Sequence, residues 1–392
     1  MRAALLFAHR WFGLAAALWL GFLGLSGAVL VYYDELDRAF NPDWRLVEQA
    51  TGPALPLDPL VRAAEARMPG SYVRFVDLPN SPERSLELTF MPRAEALTPD
   101  QAGWQAFMDP YSGAWLGARR FGDLRFDRRH ILDVIYQLHA DLMLGAAASW
   151  CLGLLALLWI FDHVAGAALS FPIAARWRES FRIRRKVSGH KRTFDLHRAG
   201  GLWLLPVTLT MGVTGLSFTW PESFEAALRT ITSDRPSVYA NLPDRTEPVF
   251  APQINVDQAI AAAEAHGGAK ADLVVVFPGK GVYRVNLFDP RDLNSFGARM
   301  VFIDMQSGAV LGDQHLRDEG PGHGILAWML PLHNGRAFGD LGRLLAFLGG
   351  LGVCVLSFTG IALFLHRRAS RGRLARRAGP PAQRPLGSIT ER

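Results

Sequence analysis

Four unbroken apolar stretches punctuate the chain: Trp11 to Tyr33, Leu142 to Phe171, Leu196 to Trp220 and Leu341 to Leu365. Crossing a bilayer core of roughly 30 Å takes about 20 helical residues, and each stretch is long enough. None has the one-sided polarity of a helix that lies on a soluble core. The first could pass for a secretory signal, but no small-residue cleavage site precedes Tyr32-Tyr33-Asp34, so it reads as a retained helix. Between the first and second stretches, and again between the third and fourth, the patterning changes. An Ala-rich amphipathic segment is followed by period-two alternation, as in Tyr72 to Asp77, Ser85 to Phe90, Leu273 to Phe277 and Val282 to Phe288, with Ser-Gly and Pro/Asp turns between. That order predicts a small α+β domain in each long segment, one helix against an antiparallel sheet.

The two halves of the chain match each other. His9-Arg10-x-x-Gly13-Leu14 opens the first helix and His197-Arg198-x-x-Gly201-Leu202 the third, with Gly27 and Gly215 eighteen residues after each histidine. Asp58 to Ala66 (DPLVRAAEA) answers Asp257 to Ala265 (DQAIAAAEA). The turn at Phe107, Asp109, Ser112, Gly113, Leu116 and Gly117 returns at Phe302, Asp304, Ser307, Gly308, Leu311 and Gly312. Leu138-His139 with Gly145 and Gly166 answers Leu332-His333 with Gly339 and Gly360. Each copy crosses the membrane twice, so both enter it in the same sense, about an axis along the membrane normal. The predicted fold is integral membrane α-helical, a four-TM bundle of two parallel pseudo-repeats, each a helix, an α+β domain outside the membrane and a second helix.

Charge sets the expected orientation. Arg2 and Arg10, the Arg/Lys-rich stretch from Arg176 to Arg192, and Arg367 to Arg377 flank the spans on one side, which the positive-inside rule makes cytoplasmic. The expected divisions are a first helix over 1–33, a periplasmic domain over 34–138, a second helix over 139–173 and a basic cytoplasmic loop over 174–194. The third helix takes 195–220, the second periplasmic domain 221–332, the fourth helix 333–368 and a basic cytoplasmic tail 369–392. Both termini are then cytoplasmic in a bacterial inner membrane. The net charge of +6 reflects topology, and nucleic acid is not an expected partner; the lipid bilayer is. Cys151 and Cys354 fall inside spans, and no Cys-x-x-Cys-His is present, so any haem would be held without thioether bonds.

Six of the eleven histidines lie in or at the ends of the spans: His9, His139, His163, His197, His333 and His366. Ionisable groups at that depth are costly and mark pathways, relays or ligand sites. A porphyrin between helices needs an imidazole on each face of its iron, apolar walls and small residues where the ring comes close. His139 and His333, related by the repeat, are the expected outer pair, with Gly145 and Gly339 about two turns below them. His9 and His197 form an inner pair, with Gly13 and Gly201 one turn along on the same face. His163 and His366 are not duplicated, since Ser357 stands at the position equivalent to His163. His163 could replace His9 or His197 as a ligand, or Asp162 could tune a ligand through a hydrogen bond. His130 and His323, a few residues before the outer pair, are candidates for a substrate-side surface.

These motifs, a His-Arg-x-x-Gly-Leu opening, a Ser-Gly hairpin and a Leu-His start to the next helix, all repeated, resemble the PepSY-associated transmembrane family over nearly the whole chain. The resemblance implies PepSY-like outer domains and, as in the family's ferric-siderophore reductases, two b-type haems passing electrons across the membrane. The expected substrate is a ferric siderophore, of hydroxamate type, whose hard oxygen donors hold ferrous iron less tightly. No dinucleotide fingerprint is visible, so the expected donor is quinol or a separate cytoplasmic reductase. A siderophore or haem carrier, and a non-redox module binding a periplasmic peptidase, are the alternatives.

Overall fold

The computed structural model describes residues 1–48, 52–95, 103–235, 237–293 and 296–378, with side chains described as far as residue 370 at the C-terminal end. In chain order its principal helices are α1 (Arg2–Leu30), α2 (Tyr33–Phe40), α3 (Leu57–Arg67), α4 (Ile131–Asp141), α5 (Ala146–Ser170), α6 (His190–Thr219), α7 (Val256–Gly267), α8 (Pro321–His333) and α9 (Gly339–Ala378). The strands are β1 (Ser71–Asp77), β2 (Leu86–Pro92), β3 (Trp104–Met108), β4 (Trp115–Arg120), β5 (Ala271–Phe277), β6 (Val282–Leu287), β7 (Arg299–Asp304) and β8 (Val310–His315). Among the described residues four helices are long and apolar enough to cross a membrane: α1, α5, α6 and a span from Arg336 to Ser370 that includes most of α9. This is a multi-pass membrane protein.

The chain divides into two compact units, each with its own pieces of the four long helices. One comprises Met1–Leu25, Leu158–Thr208 and the chain from Gly350; the other comprises Ser26–Leu157 and Leu209–Gly349 and contains all the strands.

In the sheet-bearing unit the two α+β segments are not separate domains. Their strands join in one eight-stranded antiparallel sheet of order β4-β3-β2-β1-β5-β6-β7-β8. The seam is the β1–β5 pairing, with Phe75 opposite Val275, Val76 opposite Val274 and Asp77 opposite Leu273. Fusing the edge strands removes two rows of unpaired backbone groups that would otherwise invite aggregation. Helices α3 and α7 pack into the same apolar cluster with the sheet through Ala64, Ala259 and Ala263, all fully buried. Their small side chains let helix backbone approach strands. The Asp257 carboxylate of α7 accepts the amides of Leu57 and Asp58 at 2.9 and 2.8 Å, satisfying donors at the first turn of α3.

A buried ionic cluster ties α2, β4 and α4 together. Arg119, 1% exposed, donates to both oxygens of Asp37 at 2.7 and 3.0 Å and lies 3.1 Å from Asp133; the Tyr33 hydroxyl donates to Asp133. Burial keeps the Tyr33 phenol protonated by pushing its pKa well up. Two carboxylates around one bidentate arginine offset the cost of burying all three, and losing one partner from such a cluster costs about 3–5 kcal/mol. The cluster therefore fixes α4, which carries His139.

The second and fourth spans begin later than the sequence suggests. His139 is on α4, and Leu142, Met143 and Gly145, with φ of 57°, 57° and 69°, turn the chain before α5 starts at Ala146. His333 ends α8, and Gly335 and Gly339, with φ of 80° and 58°, turn the chain into α9. Left-handed backbone cannot continue a right-handed helix. The long helices expected to start at 139 and 333 thus start at 146 and 339, and each histidine ends or nearly ends a short helix ahead of them.

Candidate functional site

Two histidine pairs form, one in each unit. In the sheet-bearing unit the His139 and His333 ring centres are 6.1 Å apart with planes at 64°. In the other unit the His9 and His197 centres are 6.2 Å apart with planes at 56°. Two imidazole nitrogens bound about 2.0–2.1 Å from one metal ion, on opposite sides, place ring centres about 6.3 Å apart. Both pairs have that spacing.

In all four rings Nδ1 is the nitrogen held by the protein. His9 Nδ1 meets both Asp162 oxygens at 2.9 and 3.0 Å. His197 Nδ1 lies 3.1 Å from the Leu356 carbonyl and 3.0 Å from Thr359 Oγ1. His139 Nδ1 lies 3.0 Å from Ser26 Oγ, and His333 Nδ1 2.7 Å from Thr214 Oγ1. A carboxylate or a carbonyl can only accept, so the Nδ1 of His9 and of His197 carries the proton. The Thr214 hydroxyl donates to the Thr210 carbonyl at 2.8 Å, which leaves it to accept from His333. In these three rings Nε2 therefore carries the lone pair, the atom a metal would take, with its orientation and basicity set from behind the ring.

The sequence pattern points to these partners once the repeat is laid over them. Ser26 and Thr214 each stand seventeen residues after His9 and His197, lone hydroxyls one position before the matching glycines. Asp162 and Leu356 are likewise equivalent, each twenty-three residues after His139 and His333. A side-chain carboxylate serves one half of the chain and a main-chain carbonyl the other. Asp162 stands out as an acid inside a span; Ser26 and Thr214 do not, because hydroxyls in membrane helices commonly bond their own backbone.

The glycines divide differently from expectation. Gly145 and Gly339 are turn residues, and a Cβ at either would meet nothing within 4 Å. The close approaches are at Gly27, whose Cβ would fall 2.9 Å from His139 Cε1, Gly166, 3.4 Å from His9 Cε1, and Gly360, 3.3 Å from His197 Cε1. Gly13 and Gly201 line a cavity of about 470 Å³ with His9, His197, Gly166 and Gly360. Around Gly13 no protein atom would come within 4 Å of a Cβ, and at Gly201 the nearest is Leu356 Cδ2 at 3.8 Å, an ordinary contact, so both positions have room on the cavity side.

The remaining candidates are placed elsewhere. His163 lines the cavity with Nδ1 2.7 Å from the Trp159 carbonyl and Nε2 2.8 Å from Thr208 Oγ1, apart from the His9–His197 ring pair. His366 stacks on His190, centres 4.3 Å apart and planes at 11°, and does not join the pair. His190, to which the sequence assigns no role, lines the cavity with Arg10 and Arg367. His130 is buried, its Nδ1 2.7 Å from Asp127 at the start of α4. His323 is in the first turn of α8 with Nε2 3.1 Å from Glu319. Both are tied to carboxylates at the helices that carry His139 and His333, and neither forms an open substrate surface.

Among the described residues no three His, Cys, Asp or Glu side chains converge as a metal-ligand set. Two imidazoles at that spacing suit an ion whose other ligands come from a macrocycle, so the donor set of each pair is a candidate to hold haem. No curated protein matches the chain. The family described as PepSY-associated TM region matches residues 6–367, and with the span of that match covering both histidine pairs, the chain belongs to the PepSY-associated transmembrane family.

Proposed function

We propose that this protein is a di-haem ferric-chelate reductase of the bacterial inner membrane, made of two parallel copies of one helix–domain–helix unit, with the sheet in the periplasm. The observation that carries the reading is the pair of opposed imidazoles in each unit, at 6.1 and 6.2 Å between centres, with every Nδ1 engaged. His139 and His333 would hold one haem, and His9 and His197 the other. Bound there, haem supplies a one-electron ferric/ferrous couple. The protein's part is to orient Nε2, to surround it with apolar side chains, and to set its donor strength through the group behind Nδ1. Asp162, the one charged partner, makes His9 the strongest donor of the four, which favours the ferric state at that pair. The substrate would be a ferric siderophore of hydroxamate type, which takes one electron at the sheet side and then releases ferrous iron, a softer ion poorly matched to hard oxygen donors. The electron donor would be quinol or a separate cytoplasmic reductase.

The test is an oxidised-minus-reduced visible spectrum of detergent-purified protein, with a pyridine haemochrome count, on wild type and His333→Ala. Two b-type haems in wild type and one in the variant, with ferric-chelate reduction lost, are expected. A folded, haem-free wild type would sink the reading and favour a non-redox module that binds a periplasmic peptidase.

A further inference from the structure

Away from the histidines, at the sheet seam, one buried and one half-buried arginine stand with no carboxylate at ion-pair distance among the described residues. Arg74 on β1 is 6% exposed and Arg284 on β6 is half-buried. They flank β5, where Val275 is opposite both Phe75 and Arg284. The β1 register slips between Val73 and Phe75, the mark of a bulge, and a bulge re-aims a side chain. Here it turns Arg74 onto Phe277, whose ring centre is 3.9 Å from the Arg74 guanidinium carbon and 5.7 Å from that of Arg284. The two cations thus share one aromatic ring.

Their polar atoms are poorly satisfied. Arg74 donates to the Val276 carbonyl, while the Nε atoms of both arginines are buried with no hydrogen-bond partner. Among the described residues neither is within ion-pair distance of a carboxylate, although Arg45, Arg119, Arg291 and Arg299 of the same unit all are. Neighbouring Lys280 is already paired with Asp244 at 2.9 Å, its ammonium 5.0 Å from the centre of the Tyr239 ring. Burial lowers the pKa of both arginines, and that of Arg284 falls to about 10 with Arg74 repelling it, yet both remain charged at neutral pH. Two adjacent cations, one buried and one half-buried, with no paired anion carry an uncompensated cost. Planar forks of this kind pair bidentately with carboxylate or phosphate.

We propose that Arg74 and Arg284 together bind an oxyanion, the carboxylate or phosphate group of a small ligand, at the seam where the two half-sheets join. The site stands independently of haem. The Phe277 ring lies under both guanidinium groups, and Tyr239 and Leu242 pack against the same apolar cluster.

The experiment is thermal unfolding of the full-length protein in detergent at fixed ionic strength, with phosphate or succinate replacing chloride, on wild type and Arg284→Met. A ligand that binds only the native state raises Tm with the logarithm of its concentration. Wild type should rise with at least one oxyanion, the stronger of the two identifying a phosphate- or carboxylate-bearing ligand. Arg284→Met should be flat while melting in chloride at or above wild type, because an apolar stem replaces an unpaired charge. Equilibrium dialysis against whichever labelled oxyanion raises Tm should give one bound ion per chain in wild type and at least tenfold weaker binding in the variant. No rise with either oxyanion, or an equal rise and equal binding in Arg284→Met, overturns the proposal.

Discussion

Gly27→Ala separates the geometry of the sheet-side histidine pair from the stability of the fold. A Cβ on Gly27 would lie 2.9 Å from His139 Cε1, with Nδ1 at 3.6 Å and Nε2 at 3.8 Å. Reaching 3.4 Å, where ordinary contact begins, requires the ring to retreat by about half an ångström (3.4 minus 2.9). The ring is a side-chain end and can move, so the helix should survive. Its retreat, however, works against the 3.0 Å contact with Ser26 and displaces Nε2 from His333. Ligand geometry tolerates about 0.5 Å, and disturbing the support behind a ligand typically weakens metal binding about 10–100-fold. That corresponds to about 1.4–2.7 kcal/mol. Haem dissociation into an excess of scavenging apoprotein reads this directly: one of the two proposed haems should leave faster by that factor, with the other unchanged. Gly215→Ala, where a Cβ meets nothing within 4 Å, is the control, and Gly166→Ala and Gly360→Ala, at 3.4 and 3.3 Å, should have smaller effects on the other pair. Wild-type dissociation of both haems from a folded Gly27→Ala protein would refute the assignment of His139 as a ligand.

Asp162→Asn should retain both haems but raise one midpoint potential by about 30–60 mV, up to the 59 mV that marks a tenfold change for one electron, since His9 loses its anionic partner; redox titration checks this, and an unchanged pair of potentials contradicts the role given to Asp162. A pH effect is expected at the seam, where burial, with Glu87 and Asp272 nearby, raises the Asp77 carboxyl to about 8. A raised carboxyl pKa means the folded state keeps a proton the unfolded chain has lost, so its contribution is complete below about pH 4 and disappears as pH rises through about 8. Asp77→Asn should therefore melt higher than wild type at pH 8 and converge with it towards pH 4; parallel melting curves across that range would contradict the burial argument.

Much of the architecture was legible because its causes are periodic. Apolar runs of span length can be satisfied only by helices in lipid, and the alternation from Tyr72 to Asp77 and from Leu273 to Phe277 admits only strands with one face covered. The four histidines were legible because an imidazole in an apolar span is costly and because each has a repeat partner. Their hydrogen-bond partners were harder to find. Ser26 and Thr214 look like ordinary helix hydroxyls, and the Leu356 carbonyl that holds His197 has no side-chain signature at all.

Other features depended on contacts between distant segments. That His163 has both nitrogens engaged follows from Thr208, forty-five residues away. That His366 stacks on His190 rather than facing the cavity pair follows from where α6 and α9 place their ends. The helix break after His139 rests on Leu142 and Met143 at positive φ, residues whose chemistry gives no warning of a left-handed turn. The four spans, the doubled α+β pattern and the outer histidine pair could be read from residue order alone, because burial in lipid and the repeat constrain residue type at each position, whereas His163 stayed an alternative to His9 or His197 at the inner pair. The fusion of the half-sheets through β1 and β5, the approach of Gly27 rather than Gly145 to the ring, and the meeting of Arg74 and Arg284 over Phe277 became visible once the folded chain was seen. Strand registry and side-chain proximity come from packing the whole chain at once, and no local stretch encodes them.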